Sequence, residues 1–188
     1  MADILVEDSK KERTSEHKGE DMSKQTAPRR PVTVTVTLER ANPLKYEMTS
    51  TNLPIKKIKH KGKDEPVLRF NNNQDGQFHD GFEVTFNLVD QTGENYGFFL
   101  GNSPHPDPDD AIWVKEADSG GHCPTAKCNW AGFNPTSASR DKLVVVNPNG
   151  HLQYFGFALL LSRPNETSPS VTIDPIGDNQ DGLNNDTA

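Results

Sequence analysis

The sequence predicts an all-β domain: an immunoglobulin-like sandwich of two antiparallel sheets, with a small β-barrel as the alternative closure. Three observations predict it. Short stretches alternate apolar and polar residues with a period of two, as in Val32-Thr33-Val34-Thr35-Val36-Thr37-Leu38 and Phe82-Glu83-Val84-Thr85-Phe86-Asn87-Leu88. Gly and Pro number 14 each in 188 residues, which suits many turns and few helices. No stretch as long as an ordinary helix, about 10–12 residues, carries an apolar 3.6-residue period free of Gly and Pro.

Residues 1–30 mix charges of both signs, contain no aromatic residue and hold one apolar cluster, Ile4-Leu5-Val6. Such a composition buries too little apolar surface to offset chain entropy, so a disordered charged leader is expected. The domain is expected over 31–176, followed by a flexible acidic tail over 177–188. Pro31 opens the first strand, whose β-branched residues alternate through Leu38. Ala41-Asn42-Pro43 turns the chain, Tyr46 and Met48 alternate again, and Asn52-Leu53-Pro54 interrupts.

Ile55 to Lys63, IKKIKHKGK, is the one basic run. It contains no aromatic residue on which a nucleic-acid base could stack. It reads as an edge strand or solvated loop guarded by lysines. Val67 to Phe70 is a further short strand. Asn71, Asn73, Asp75 and Gly76 imitate the first half of an EF-hand loop, but the twelfth position is Phe82, where calcium needs a bidentate Glu.

Phe82 to Leu88 is the cleanest half-buried strand. Asp90-Gln91-Thr92-Gly93 is a turn, and Tyr96 to Leu100 is expected to return as its hairpin partner. A proline-punctuated loop follows, then the strand Ala111 to Val114 and a long irregular stretch from Asp118 to Ser139. Leu143 to Val146 is expected to pair with Gln153 to Leu161 across the turn Asn147-Pro148-Asn149-Gly150. The second of these strands is apolar on both faces. It is therefore expected at the centre of its sheet, with Phe155, Phe157 and Leu159 in the core. Val171 to Ile173 is read as the last strand.

VTVTV, FEVTFNLVDQTG, DDAIWV, a Cys-Pro in the long loop, LVVVN and IDPIGDNQDG together resemble an uncharacterised family of bacterial proteins, the DP-EP family. The resemblance spans about Val32 to Gly182. It implies a small β-domain and no defined activity, so it carries over no functional residue.

Chemistry-bearing residues are few. His122-Cys123 and Cys128 form the only soft-metal grouping, and zinc would need a further ligand such as His105 or His151. Asp107, Asp109 and Asp110, with Asp174, Asp178, Asp181 and Asp186, supply hard oxygens for calcium or an acidic ligand site, and solvated Asp-Pro and Asp-Gly turns would look the same. Trp113, Trp130 and Tyr154 suit an aromatic platform or ordinary core packing. No GxSxG, HExxH or phosphate-cradling Gly loop is present.

The net charge of −7 opposes generic affinity for nucleic acid or anionic membrane, and no apolar run of about 18 residues is found. The N-terminus lacks the apolar run of a secretory signal, so a cytoplasmic location with reduced thiols is expected. The expected function is a non-enzymatic binding or assembly module. It needs no cofactor and acts on an unknown protein partner or by self-association. The alternative is a calcium- or zinc-dependent ligand-binding domain using the acidic and His/Cys loops.

Overall fold

A computed structural model describes residues 28–60, 63–71, 81–103, 105–116, 124–150 and 153–180. Twelve strands lie among them: β1 (Arg30–Arg40), β2 (Lys45–Ser50), β3 (Ile55–His60), β4 (Lys63–Phe70), β5 (Phe82–Asp90), β6 (Gly97–Phe98), β7 (Ile112–Glu116), β8 (Asn134–Ala138), β9 (Lys142–Asn147), β10 (Gln153–Ser162), β11 (Val171–Ile173) and β12 (Ile176–Asn179). A single 3-10 turn, Pro108–Asp110, precedes β7, and the described residues include no α-helix. Most of the expected leader (1–27), the EF-hand-like segment 72–80 and the tail from 181 lie outside the described residues.

The strands form two sheets, one ordered β2-β1-β5-β9-β8 and the other β11-β10-β12-β4-β3, with β6 and β7 also pairing to β10. The two-sheet sandwich is as expected and neither sheet closes on itself as a barrel would, but the expectation that both sheets are antiparallel is corrected. The sheets are mixed. β1 runs parallel to β5 from Arg30↔Phe82 to Leu38↔Asp90, and β12 runs parallel to β4. Val32, Val34, Val36 and Leu38 of β1 and Phe82, Val84 and Phe86 of β5 are buried on the inner face, as their alternation requires. The first six residues of the basic run, Ile55–His60, are β3, the edge strand at the far end of the second sheet, and Lys63 opens β4.

β10 is the central strand of the second sheet. β7 pairs with it on one edge (Phe157↔Val114), and β11 and β12 pair on the other (Leu159↔Ile173, Gly156↔Ile176). The register passes from β11 to β12 without a slip. Pro175 has no N–H to donate, so the ladder lapses there, while its carbonyl still accepts from Phe157 N at 3.3 Å. Both faces of β10 are buried from Phe155 onward. Phe155, Phe157, Leu159 and Leu161 face the main core, and Ala158 and Leu160 lie under Phe99 with Trp113. The main core centres on packed rings. Phe133 sits 4.9 Å from Phe155 and 5.0 Å from Phe157, and Phe86 of the opposite sheet lies 5.8 Å from Phe157. Gly177 lies beneath the Phe155 ring, where a Cβ would come within 2.0 Å of the ring.

Four expectations about connection are corrected. The segment after β5 does not return as its hairpin partner: Gly97-Phe98 pairs with Leu161-Ser162 in the other sheet. The loop between is drawn tight by Asp90, whose carboxylate accepts from Thr92 N and Oγ1 and from Tyr96 N. Burial works to raise Asp90, but these donations outweigh it and hold the carboxyl below its ordinary value. The turn at 147–150 joins β9 in the first sheet to β10 in the second, so it crosses between layers. The long irregular stretch contains β8, which pairs with β9 around an irregular register near Pro135. Val171 to Ile173 is not the last strand, because β12 carries the sheet to Asn179, beyond the boundary expected at 176.

Candidate functional site

His122 and Cys123 lie outside the described residues, as do His151 and Asp181. Cys128 is a free, half-buried thiol whose carbonyl accepts from Val114 N at 2.8 Å. Among the described residues, no group of three or more His, Cys, Asp or Glu side chains could hold a metal ion. Asp107 caps the 3-10 turn by accepting from Asp109 N at 3.0 Å. Asp110 pairs with Lys127 Nζ at 2.6 Å, and this hydrogen-bonded carboxylate raises the lysine above its ordinary pKa. Asp174 stands exposed in the link between β11 and β12.

The aromatic platform is not assembled. Trp130 packs on Phe155 in the main core, at 5.1 Å between ring centroids. Trp113 belongs to the small cluster on the opposite face of β10, and Tyr154 is 44% exposed.

Asp178 departs furthest from expectation. It is 5% exposed, not a solvated tail residue. Asp178 and Arg69 are register partners on the parallel strands β12 and β4, so their side chains leave the same face of the sheet. Arg69 Nε donates to Asp178 Oδ2 at 2.9 Å, and Gln180 Nε2 donates to the same oxygen at 2.8 Å.

Arg69 opens onto a cavity of about 430 Å³ at the end of the sandwich where β1 begins and β4 ends. The connection between β2 and β3 forms its rim and is tied to β1. Ser50 Oγ donates to Thr33 O at 2.9 Å and accepts from Leu53 N at 3.2 Å, while Asn52 Nδ2 donates to Pro31 O at 2.6 Å. Arg69 N donates to Pro54 O at 3.1 Å, joining the rim to the second sheet. Arg30, Lys56 and Arg69 supply three cations to the lining, and its described residues include no carboxylate. Arg30 also donates through Nη1 to Asn71 O at 3.4 Å. A second cavity of about 450 Å³, beside Tyr46, Met48 and Ile55, is lined by Lys45 and Lys57 with Glu47, Asp64, Glu65 and Asp174, so its balance is acidic and does not suit an anion.

A buried amide network lies at the ends of β9 and β12. Asn147 Nδ2 donates to Asn179 Oδ1 at 2.8 Å, linking the two sheets, and Asn147 Oδ1 accepts from Asn149 N at 2.8 Å. Asn149 holds a positive φ of 52°, and its side-chain amide is buried with neither Nδ2 nor Oδ1 hydrogen-bonded to a described residue.

Sequence reasoning placed Lys56 in the basic run and missed Arg30 and Arg69. Arg30 opens β1 and Arg69 lies near the end of β4, outside the basic run, and the packing of the two sheets brings both to one cavity. No helix among the described residues is long and apolar enough to cross a membrane. No protein-family model and no curated protein matches the chain. Among solved structures, the chain is similar to an inclusion body protein, PixA, from Burkholderia cenocepacia, with 9% identity over 80% of this chain and 95% of that one and a TM-score of 0.31. A superposition at that level carries no argument about fold or function.

Proposed function

We propose that this protein is a non-enzymatic binding module that takes a small acidic ligand in the cavity between its sheets. The observation that carries the reading is the lining: Arg30, Lys56 and Arg69 converge in a net-acidic chain, and no described carboxylate joins them. A concavity of about 430 Å³ falls in the ordinary range for small-ligand sites, about 300–1,000 Å³. Assembly through the β3 edge is opposed by Lys56, Lys57 and Lys59, because lysines along an edge disfavour addition of another strand. The absence of a recognised catalytic motif in the sequence favours binding over turnover.

The test is thermal unfolding of the full chain against a panel of small organic acids and neutral molecules of similar size. A ligand bound to the native state raises the melting temperature by mass action. At least one acid should do so, and Lys56→Glu, an exposed change, should abolish the shift. Equal stabilisation by neutral molecules, or a shift that survives Lys56→Glu, sinks this reading.

A further inference from the structure

We infer that the ligand is a phosphorylated small molecule whose phosphate is gripped by the two Nη groups of Arg69, with Lys56 as the second charge. This rests on the acidic-ligand reading of the same cavity. The Nε edge of Arg69 is committed to the buried Asp178 at 2.9 Å. Its two Nη groups hydrogen-bond to no described residue, although the side chain lines the cavity and is 27% exposed. A guanidinium held by one edge keeps two parallel N–H bonds for two oxygens of one oxyanion, and its plane is already fixed before the ligand arrives. Asp178 is fixed in turn by the Gln180 amide at 2.8 Å.

The donor count favours phosphate over a single carboxylate. A phosphate monoester presents three terminal oxygens and roughly −1.5 to −2 charge at neutral pH, so it can serve the Arg69 fork, whose own charge Asp178 already offsets, and Lys56 together. Lys56 is a compact point charge at the exposed start of β3 and complements the planar fork. The cavity volume of about 430 Å³ exceeds what one phosphate fills. Leu53 and Pro54 of the rim, with the Thr51 hydroxyl, leave a half-apolar space for the organic part of a monoester.

Isothermal titration of the full chain with inorganic phosphate, glycerol phosphate and succinate tests this. Both phosphates should compete for one site, the ester should bind more tightly, and succinate should bind at least about tenfold more weakly than the ester. Arg69→Lys keeps the charge beside Asp178 but loses the fork, and should weaken the ester at least about tenfold with the circular dichroism spectrum unchanged. Lys56→Ala should weaken it about three- to tenfold. If succinate binds as tightly as the ester, the phosphate assignment falls and the acidic-ligand reading stands. Binding by none of the three, with no acid in the melting panel effective, removes both. Inorganic phosphate binding better than the ester, or an undiminished Arg69→Lys, overturns the inference alone.

Discussion

In the middle of the sandwich, Phe86, Phe133, Phe155 and Phe157 pack ring against ring with centroids 4.9–6.4 Å apart. At the end where β9 and β12 stop, Asn147, Asn149, Asp178 and Asn179 are buried beside Phe70 and Phe82. Both regions exclude water, but they hold together by different physics. Ring packing is non-directional and scales with the area removed from water. The polar end depends on named partners, and a buried polar group left without one costs more than the bond itself contributes. The middle therefore sets how much stability the fold has, while the end sets which groups face the cavity.

The largest expected effect tests the middle. Phe157→Ala removes a fully buried ring that touches both sheets, and should cost about 3–5 kcal/mol through lost burial and a residual cavity. Urea titration measures it, and a loss below about 1 kcal/mol would mean that the cluster repacks freely. Next comes the polar end. Asp178→Ala strands Arg69 and Gln180 Nε2, and a cost of about 1–3 kcal/mol is expected, below that of a fully buried pair because Arg69 is 27% exposed. Sequence alone, with Asp178 in a solvated tail, expects under about 0.5 kcal/mol, so the same titration separates the two pictures.

A smaller effect concerns Glu166, a half-buried carboxylate held to about 2 from an ordinary 4.5 by the Ser170 hydroxyl, then by the N–H and guanidinium of Arg163. A lowered carboxyl stabilises the fold above its unfolded value, and that contribution is lost as pH falls through the folded value. The gap in urea midpoint between wild type and Glu166→Gln should be full above about pH 5 and shrink toward about pH 2. A gap that widens on acidification contradicts the geometry. Smallest of all is Asp110→Ala. Its partner Lys127 is 52% exposed, so the pair should contribute under about 0.5 kcal/mol, and that little should fade in salt. A larger loss in the same titration would show that Asp110 holds the 3-10 turn more firmly than an exposed pair can.

The middle was legible in the sequence and the end was not. The alternation through Val32 to Leu38 and Phe82 to Leu88, and the two-faced β10, specify burial locally, because side chains alternate across a strand whatever its neighbours. Pairing partners are not local. Asn147-Pro148-Asn149-Gly150 signals a reversal equally well for a hairpin and for a crossing between sheets, and the structure makes it the crossing. Asp174-Pro175 and Asp178 read as the start of a polar tail because their composition is polar. Only the pairing of Asp178 with Arg69, 109 residues earlier, makes the segment a core strand. The cavity was invisible for the same reason, since its cations come from separate strands.

The position of β12 between β10 and β4 also has a consequence for synthesis. A nascent chain that has released β1 through β4 already contains all of the β3–β4 hairpin, yet that hairpin must wait for more than a hundred further residues before its neighbour exists. Parallel pairing across such a separation is slow to close, because loop entropy is spent before the contact rewards it. During that interval β4 offers a bare edge to any passing strand, and the lysines of β3 guard only the other side of the pair.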